Sequence, residues 1–428
     1  TLTGLMTFNA FSAEALRITS ENKNVHRFAA VINIADFRRI NEEKGYETGN
    51  SILIAVAEVL KNSVSSGELL CRSEDSRFIL LLKNENTEIF TERLNSLMQE
   101  IQKQVLRKLR VTIFLIAGAY DIESDSVGIM GGVDRAIRAQ KTVRDRAYYH
   151  ENLVAFFDKA LREKIKERRY IEANMLTALE NNEFQVYYQP KISIETGKVV
   201  GAEALARWIR PNGEIISPGK FVPIFEENGF ITDMDFAVYR RSIADIRRWL
   251  RIGLDVPLIS LNVSRHHLGD DNFCDKLNNL IDNIGVPHKY IELEITESLL
   301  TDNIEKLIET VTWFKERGYR ISVDDFGSGY SSLNLITMLP FDTLKIDGGF
   351  FLKNDLTEKN RKVITSVVTL AKSLNLETVS EGVETQTQVD FLKELGCDMI
   401  QGFFYYKPMS CEKFEEILRS QTTSIAAT

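Results

Sequence analysis

Acidic and amide side chains recur along the second half of the chain at one repeated place, the end of a short apolar run. In order these are Gln189, Glu203, Asn262, Glu294, the pair Asp324–Asp325, Lys345, Glu381 and Gln401. Glu203, Asn262, Glu294, Asp324, Asp325 and Glu381 offer hard oxygen atoms, the ligand type that Mg2+ and Mn2+ prefer. Gathered without cations, so many carboxylates would repel one another and shift their pKa values, a conflict that divalent ions remove. Two ions about 3.5–4 Å apart can activate water and stabilise the leaving oxygen of a phosphodiester. Lys345 adds a fixed positive charge for the attacking water or a phosphate oxygen. Any one of these positions taken alone reads as a cap or a surface acid. Their coincidence at strand after strand carries the inference. Asp324-Asp325-Phe326-Gly327 contains a kinase-like DFG triplet, but no Gly-rich loop or HRD segment accompanies it, and the kinase class is rejected.

Residues so far apart in sequence can meet only if the elements carrying them converge. The predicted strands are Val186–Gln189, Val200–Ala206, Leu258–Val263, Ile291–Thr296, Arg320–Asp325, Thr343–Asp347, Thr378–Gly382 and Met399–Phe403, with helices between them. One such helix, Asn303 to Arg317, sets Ile304, Leu307, Ile308, Val311 and Phe314 on one face, with Thr301 or Asp302 as cap and Gly318 as stop. Strands alternating with helices over this span predict an α/β fold, a (β/α)8 TIM-like barrel, whose C-terminal strand ends gather on one face. Residues 1–156 read as a smaller α/β domain. Its strands are 29–34, a hairpin of 69–71 with 78–82, and 111–119; its helices are 52–60, 87–105 and 131–142. Between the two, 157–180 is a charged stretch without Pro or Gly, read as a stiff helical connector into a 170–420 domain.

At 428 residues, two domains are the expectation. The net charge of −8 argues against a nucleic-acid polymer as partner, while leaving room for a small anion at a metal site. Four scattered cysteines without a CxxC pair read as reduced thiols in the cytoplasm. The five histidines lack zinc-hydrolase spacing, and the adjacent His266 and His267 read as a surface or capping pair at a helix start. No apolar run is long enough to cross a membrane and no signal peptide is visible. The chain starts without Met and is read as a piece of a longer protein, with any sensor or membrane tether upstream and out of view.

Specific motifs then resemble the EAL family. Glu203-Ala204-Leu205-Ala206-Arg207-Trp208 matches its signature, preceded by Tyr188-Gln189-Pro190-Lys191. Leu261-Asn262-Val263-Ser264, Glu294-Ile295-Thr296-Glu297, Asp324 through Leu333, Leu344-Lys345-Ile346-Asp347, Glu381-Gly382-Val383-Glu384 and Gln401-Gly402-Phe403 match its later blocks. The resemblance implies a barrel that hydrolyses the bacterial second messenger cyclic di-GMP to linear pGpG, using Mg2+ or Mn2+, two per site. It implies Glu203, Asn262, Glu294 and Asp324 on the first metal and Asp325 and Glu381 on the second, with Glu381 and Lys345 beside the nucleophilic water. Gln189 and Arg207 would contact substrate, Gln401 would help position the water or metal shell, Glu384 would support the site, and Glu297 would brace the 324–333 loop. No metal or catalytic position departs from the pattern, which disfavours the alternatives of a non-hydrolytic cyclic di-GMP receptor or a protein-interaction scaffold. A homodimer is implied by resemblance only.

The first domain resembles the GGDEF, or diguanylate cyclase, family. Leu2-Thr3-Gly4-Leu5, the 33–41 block and Gly45 to Asn50 match its motifs, but the signature has become Glu74-Asp75-Ser76-Arg77-Phe78. Acids replace the two glycines that let backbone approach the substrate. Asn33 and Ser76 stand where metal-binding carboxylates belong, and Ser65-Ser66-Gly67-Glu68 stands in place of the product-inhibition motif. Asn41 keeps a guanine-reading position, so weak GTP binding is the most that is expected of a regulatory scaffold. Incubating the protein with GTP and Mg2+ is expected to yield no cyclic di-GMP; a chromatographic product peak would show the domain to be active.

Overall fold

The structure is a computed structural model that describes residues 2–21, 25–74, 76–124, 127–144, 151–296, 304–327, 338–351 and 357–426. Contacts divide the chain into two compact units, residues 1–167 and 168–428, and the helix Lys159–Glu180 runs unbroken across that division. No helix among the described residues is long and apolar enough to cross a membrane.

In the first unit, β1 (Arg27–Ile34), β2 (Leu69–Arg72), β3 (Arg77–Lys83), β4 (Leu115–Asp121) and β5 (Leu153–Phe156) form one sheet in the order β2-β3-β1-β4-β5. Alternation along β1 divides its side chains between two cores, as a two-residue period requires. Phe28, Ala30, Ile32 and Ile34 pack with the helices Tyr46–Ser63 and Thr87–Leu109, while Ala29 and Val31 pack with Phe8–Glu21 and Gly128–Val143. The ladder of β4 starts at Leu115, not at the expected Val111, because pairing with β1 begins there. Glu68 is buried and holds its own turn, accepting from the backbone N–H groups of Ser65 and Lys83 (both 2.8 Å) and from Arg93 at 2.7 Å.

In the second unit, β6 (Phe184–Ser193), β7 (Val199–Ile209), β9 (Leu258–Val263), β10 (Ile291–Thr296), β11 (Arg320–Phe326), β12 (Thr343–Ile346), β13 (Glu377–Ser380) and β14 (Met399–Ile400) close into a barrel. Two short strands, β8 (Ile215–Ile216) and β15 (Met409–Ser410), pair with β7 and β6 respectively. One strand departs from the expected strand–helix rhythm. β6 runs antiparallel to both β7 and β14, whereas the other neighbours around the eight-stranded ring are parallel. The reason is the connection: 194–198 is a tight turn with Gly197 at φ +68°, too short for the crossover that parallel pairing demands. The expected strand ends at Gly382 and Phe403 are also revised. The ladders stop at Ser380 and Ile400, and Glu381 and Gln401 follow on single backbone bonds to Ile346 (3.0 Å) and Ser380 (2.9 Å).

Helices wrap the ring and supply its outer core. The helix Ile304–Glu316 buries Leu307, Val311 and Phe314 as its period predicts, but Ile304 is 40% exposed in the first turn. The expected cap at Thr301 or Asp302 lies outside the described residues. Phe184, Trp208, Phe221, Phe225 and Phe230 form an aromatic plug at one end, with the Trp208 indole donating to Glu183 at 2.9 Å. His267, expected at the surface, is 1% exposed; it stacks on Phe273 at 4.4 Å and bonds Asp235 at 3.0 Å, because its short helix Arg265–Leu268 is folded inward. Gly402 sits where a Cβ would stand 2.2 Å from the Val383 carbonyl oxygen and 2.4 Å from its nitrogen. Gly402→Ala is therefore expected to cost about 1–3 kcal/mol of stability by overpacking, measured by urea denaturation; an unchanged midpoint would mean the two backbones separate freely.

Candidate active site

Strand register assembles the site. β6 pairs Gln189 with Glu203 of β7, β9 pairs Asn262 with Glu294 of β10, and β10 pairs Thr296 with Asp324 of β11. Lys345 points inward from β12, and Glu381 and Gln401 follow β13 and β14. Carboxylate oxygens of Glu203, Glu294 and Asp324 lie within 4.8 Å of one another, and so do those of Asp324, Asp325 and Glu381. The two groups share Asp324.

Asp324 and Asp325 are adjacent on a strand, where alternation should send them to opposite faces. A bulge resolves this. The β11–β12 register shifts between Val323 and Phe326, and Asp325 takes a left-handed φ of +55°. Bulges re-aim side chains in this way beside functional sites, and a non-glycine residue in this region carries strain that its surroundings must offset. Nearby, Gly348 and Gly382 bring two backbones together: a Cβ on Gly382 would stand 2.8 Å from the Gly348 Cα.

Lys345 is the hub. Fully buried, its ammonium lies 2.7 Å from Glu294, 2.7 Å from Glu381, 2.9 Å from Asp324 and 3.6 Å from Glu203. Amides hold the rest. Asn262 donates to Glu203 Oε1 at 2.8 Å, and Gln401 donates to Glu203 Oε2 at 2.6 Å and to Gln189 Oε1 at 3.4 Å. The Oε1 atom of Gln401 is buried and has no hydrogen-bond partner among the described residues. Such an orphaned acceptor in a carboxylate cage is what a bound water or ion shell would satisfy.

The charges are out of balance. Burial raises the carboxyl pKa of Glu203 and of Glu381 against the pull of Lys345, and neighbouring carboxylates add to the rise. Asp325 is pushed up to about 6 by burial first, then by Asp324 and Asp347. Asp324 is raised by burial and by Glu294 and Glu381, with Lys345 opposing. Glu294 moves the other way: burial would raise it, but Lys191 and Lys345 together hold it well below the usual range. Lys345 lies far above its ordinary value, since its carboxylates outweigh the effect of burial. A cage of hard oxygens with too little positive charge fits divalent cations of the Mg2+ and Mn2+ type.

The other expected residues fall at different distances from this centre. Arg207 is half-buried four residues beyond Glu203 on β7, its guanidinium donating to the Ala206 carbonyl at 2.8 Å and lying 5.7 Å from the Tyr187 ring centroid. Glu384 is exposed, ahead of the helix Gln386–Leu395, and is not among the gathered carboxylates. Glu297 lies outside the described residues, as does most of the 324–333 loop beyond Gly327. Sequence reading gave no role to Lys191 and Glu292, which lie buried beneath the cage and bond each other at 2.8 Å. The available signal was charge inside apolar strands. Next to Asn262, a cavity of about 260 Å3 opens between Leu205, Pro218, Met234 and Arg265.

The raised aspartates set a pH dependence. Asp325 titrates near 6 instead of 3.8, so within that window the fold keeps a proton that the unfolded chain has lost. This contribution to metal-free stability is present below the window and disappears as pH rises through 6. A divalent ion needs the ionised carboxylates, so its stabilisation grows in the opposite sense. The rise in melting temperature on adding Mn2+ is expected to be larger at about pH 7.5 than at about pH 5; equal shifts would show that these aspartates do not bind the ion.

Comparison with known proteins follows the same division. The family model described as EAL domain matches residues 172–408, and that described as Diguanylate cyclase, GGDEF domain matches residues 1–145. The chain is 27% identical over 425 residues to Cyclic di-GMP phosphodiesterase NbdA of Pseudomonas aeruginosa, covering 98% of this chain and 54% of that protein. It is 29% identical over 397 residues to Bifunctional diguanylate cyclase/cyclic di-GMP phosphodiesterase MucR of the same organism, covering 90% of this chain and 56% of that protein. A solved structure titled PaMucR Phosphodiesterase, c-di-GMP complex is 33% identical with a TM-score of 0.55, covering 57% of this chain and 99% of that one. The chain spans about half the length of the curated relatives it matches.

Proposed function

The chain belongs to the EAL domain family, with a GGDEF domain ahead of it, and on that premise we propose that its barrel hydrolyses cyclic di-GMP to linear pGpG. The observation that carries the reading is the pair of overlapping carboxylate groups joined at Asp324. Glu203, Asn262, Glu294 and Asp324 would hold one divalent ion, and Asp325 and Glu381 a second. When bound, such ions acidify water and neutralise phosphate charge.

The chain's own residues supply the rest. Glu381 has a raised pKa and lies 2.7 Å from Lys345, a position suited to accepting a proton from the attacking water. Lys345 keeps a permanent positive charge where phosphate oxygens would gather, and it cannot swing away because the barrel encloses it. Gln401 holds Glu203 through its amide nitrogen, and its buried, unpartnered oxygen is proposed to accept a hydrogen bond from a bound water. Arg207 and Gln189 stand ready to bind the dinucleotide's phosphates and sugars. The cavity beside Asn262 has apolar walls and room for part of a nucleobase. Glu384 and Glu297 are assigned supporting roles.

The GGDEF domain is proposed as a regulatory partner without cyclase activity. Where carboxylates would anchor Mg-GTP, Ser76 donates to Asn33 Oδ1 at 2.5 Å, a neutral pair with no charge to offer a cation. A cavity of about 890 Å3 remains there, lined by Asn41, Asn50, Arg72 and Arg77 among others, and weak GTP binding is assigned to it.

The purified chain with Mg2+ or Mn2+ is expected to convert cyclic di-GMP to pGpG, followed by chromatography. Recovery of intact ligand from a tight complex would make the barrel a receptor instead. Glu381→Ala is expected to lower kcat by about 10²–10⁴-fold, the usual contribution of a general base; wild-type turnover would remove Glu381 from proton transfer.

A further inference from the structure

Directly beneath the carboxylate cage lies a second charged layer that the proposed hydrolysis leaves without a task. Lys191 on β6 is 2% exposed and sends its ammonium across the barrel interior. Its three partners are Ser260 Oγ at 2.6 Å, Glu292 Oε2 at 2.8 Å and Glu294 Oε1 at 2.8 Å. Glu292 is 1% exposed and is itself held, accepting from Ser260 at 2.7 Å and from Thr343 at 2.9 Å, while Thr343 accepts from Arg320 at 3.3 Å.

The neighbouring strand makes room for this crossing. Lys191 pairs with Gly201 of β7, where a Cβ would already stand 3.3 Å from Lys191 Cδ and 3.5 Å from its Cβ. A longer side chain at that position would compete with the lysine stem for the interior. Glu294, on the opposite wall, is thus gripped at both oxygens: Oε1 by Lys191 and Oε2 by Lys345. The two grips differ in strength of command. Lys345 is shared among four carboxylates, whereas among the described residues Lys191 pairs with two, Glu292 and Glu294.

We propose that Lys191 is a positioning residue: by holding Glu294 through the oxygen turned away from Lys345, it presents that ligand to a divalent ion in one fixed orientation. The proposal rests on the hydrolase reading of the barrel mouth. Partners behind a ligand commonly set its orientation, and losing one typically costs about 10–100-fold in metal affinity or activity. The competing role is purely structural, a buried ion pair that fills the barrel. Such pairs can be exchanged for neutral groups with little loss of stability.

That difference selects the experiment. Lys191→Met combined with Glu292→Gln removes one charge of each sign and keeps an oxygen and an amide for Thr343 and Ser260. The double variant is expected to fold, with circular dichroism and melting close to wild type. Its dissociation constant for Mn2+, read from the free-ion electron paramagnetic resonance signal, is expected to rise about 10–100-fold. Turnover of cyclic di-GMP is expected to lose kcat to a similar degree with KM unchanged. Unaltered Mn2+ affinity in the folded variant would overturn the proposal. Should the double variant fail to fold, Ser260→Ala, which removes one contact from Lys191 and no charge, is expected to weaken Mn2+ binding in the same direction by a smaller factor; no change there would overturn it too. Wild-type protein that neither binds Mn2+ nor cleaves cyclic di-GMP would sink the hydrolase reading itself, whereas wild type that does both beside unaffected variants would sink the role of Lys191 alone.

Discussion

The second unit is organised around a single buried ammonium. Lys345 contacts Glu203, Glu294, Asp324 and Glu381 from a position with no exposure to solvent. Removing charges from water is costly, and a buried pair recovers that cost only with close geometry and full hydrogen bonding. Lys345 meets the condition for itself but not for its partners. One positive charge among four carboxylates leaves net negative charge in the interior, and the raised pKa values of Glu203, Asp324 and Glu381 express that deficit. Further positive charge can therefore be accommodated among these carboxylates.

Holding that arrangement requires a closed barrel. An open sheet would let the carboxylates separate and take up water, whereas a ring fixes the distance across its mouth. Two local irregularities then finish the site. The antiparallel first strand sends Gln189 and Lys191 inward at different depths, one beside the cage and one beneath it. The bulge at Asp325 turns a second carboxylate toward the mouth at the cost of a left-handed backbone. Both departures from regular strand geometry serve the position of a charged group.

The N-terminal unit follows the opposite electrostatic course. Its five-stranded sheet carries a cavity whose lining includes a hydrogen bond from Ser76 to Asn33. That pair is neutral and brings no charge of its own to a cation. At the other end of the β2–β3 hairpin, the buried carboxylate of Glu68 is engaged by Arg93 and two backbone groups.

Strand identity, the alternation of strands with helices and the ligand types were legible in the sequence, because a period of two or 3.6 and the hardness of an oxygen donor are local properties. Leu258–Val263 and Ile291–Thr296 read correctly to the residue for that reason. Motif resemblance extended the reading to family and chemistry. Other features depended on the assembled ring. The reversed direction of β6, the turning of Asp325 by a bulge, the inward fold that buries His267 and the layer formed by Lys191 and Glu292 all arise from contacts between segments far apart in the chain. A sequence states which groups carry charge. Only closure of the barrel decides which of those charges must face one another without water, and that decision makes Lys345 a hub and Lys191 its counterpart below.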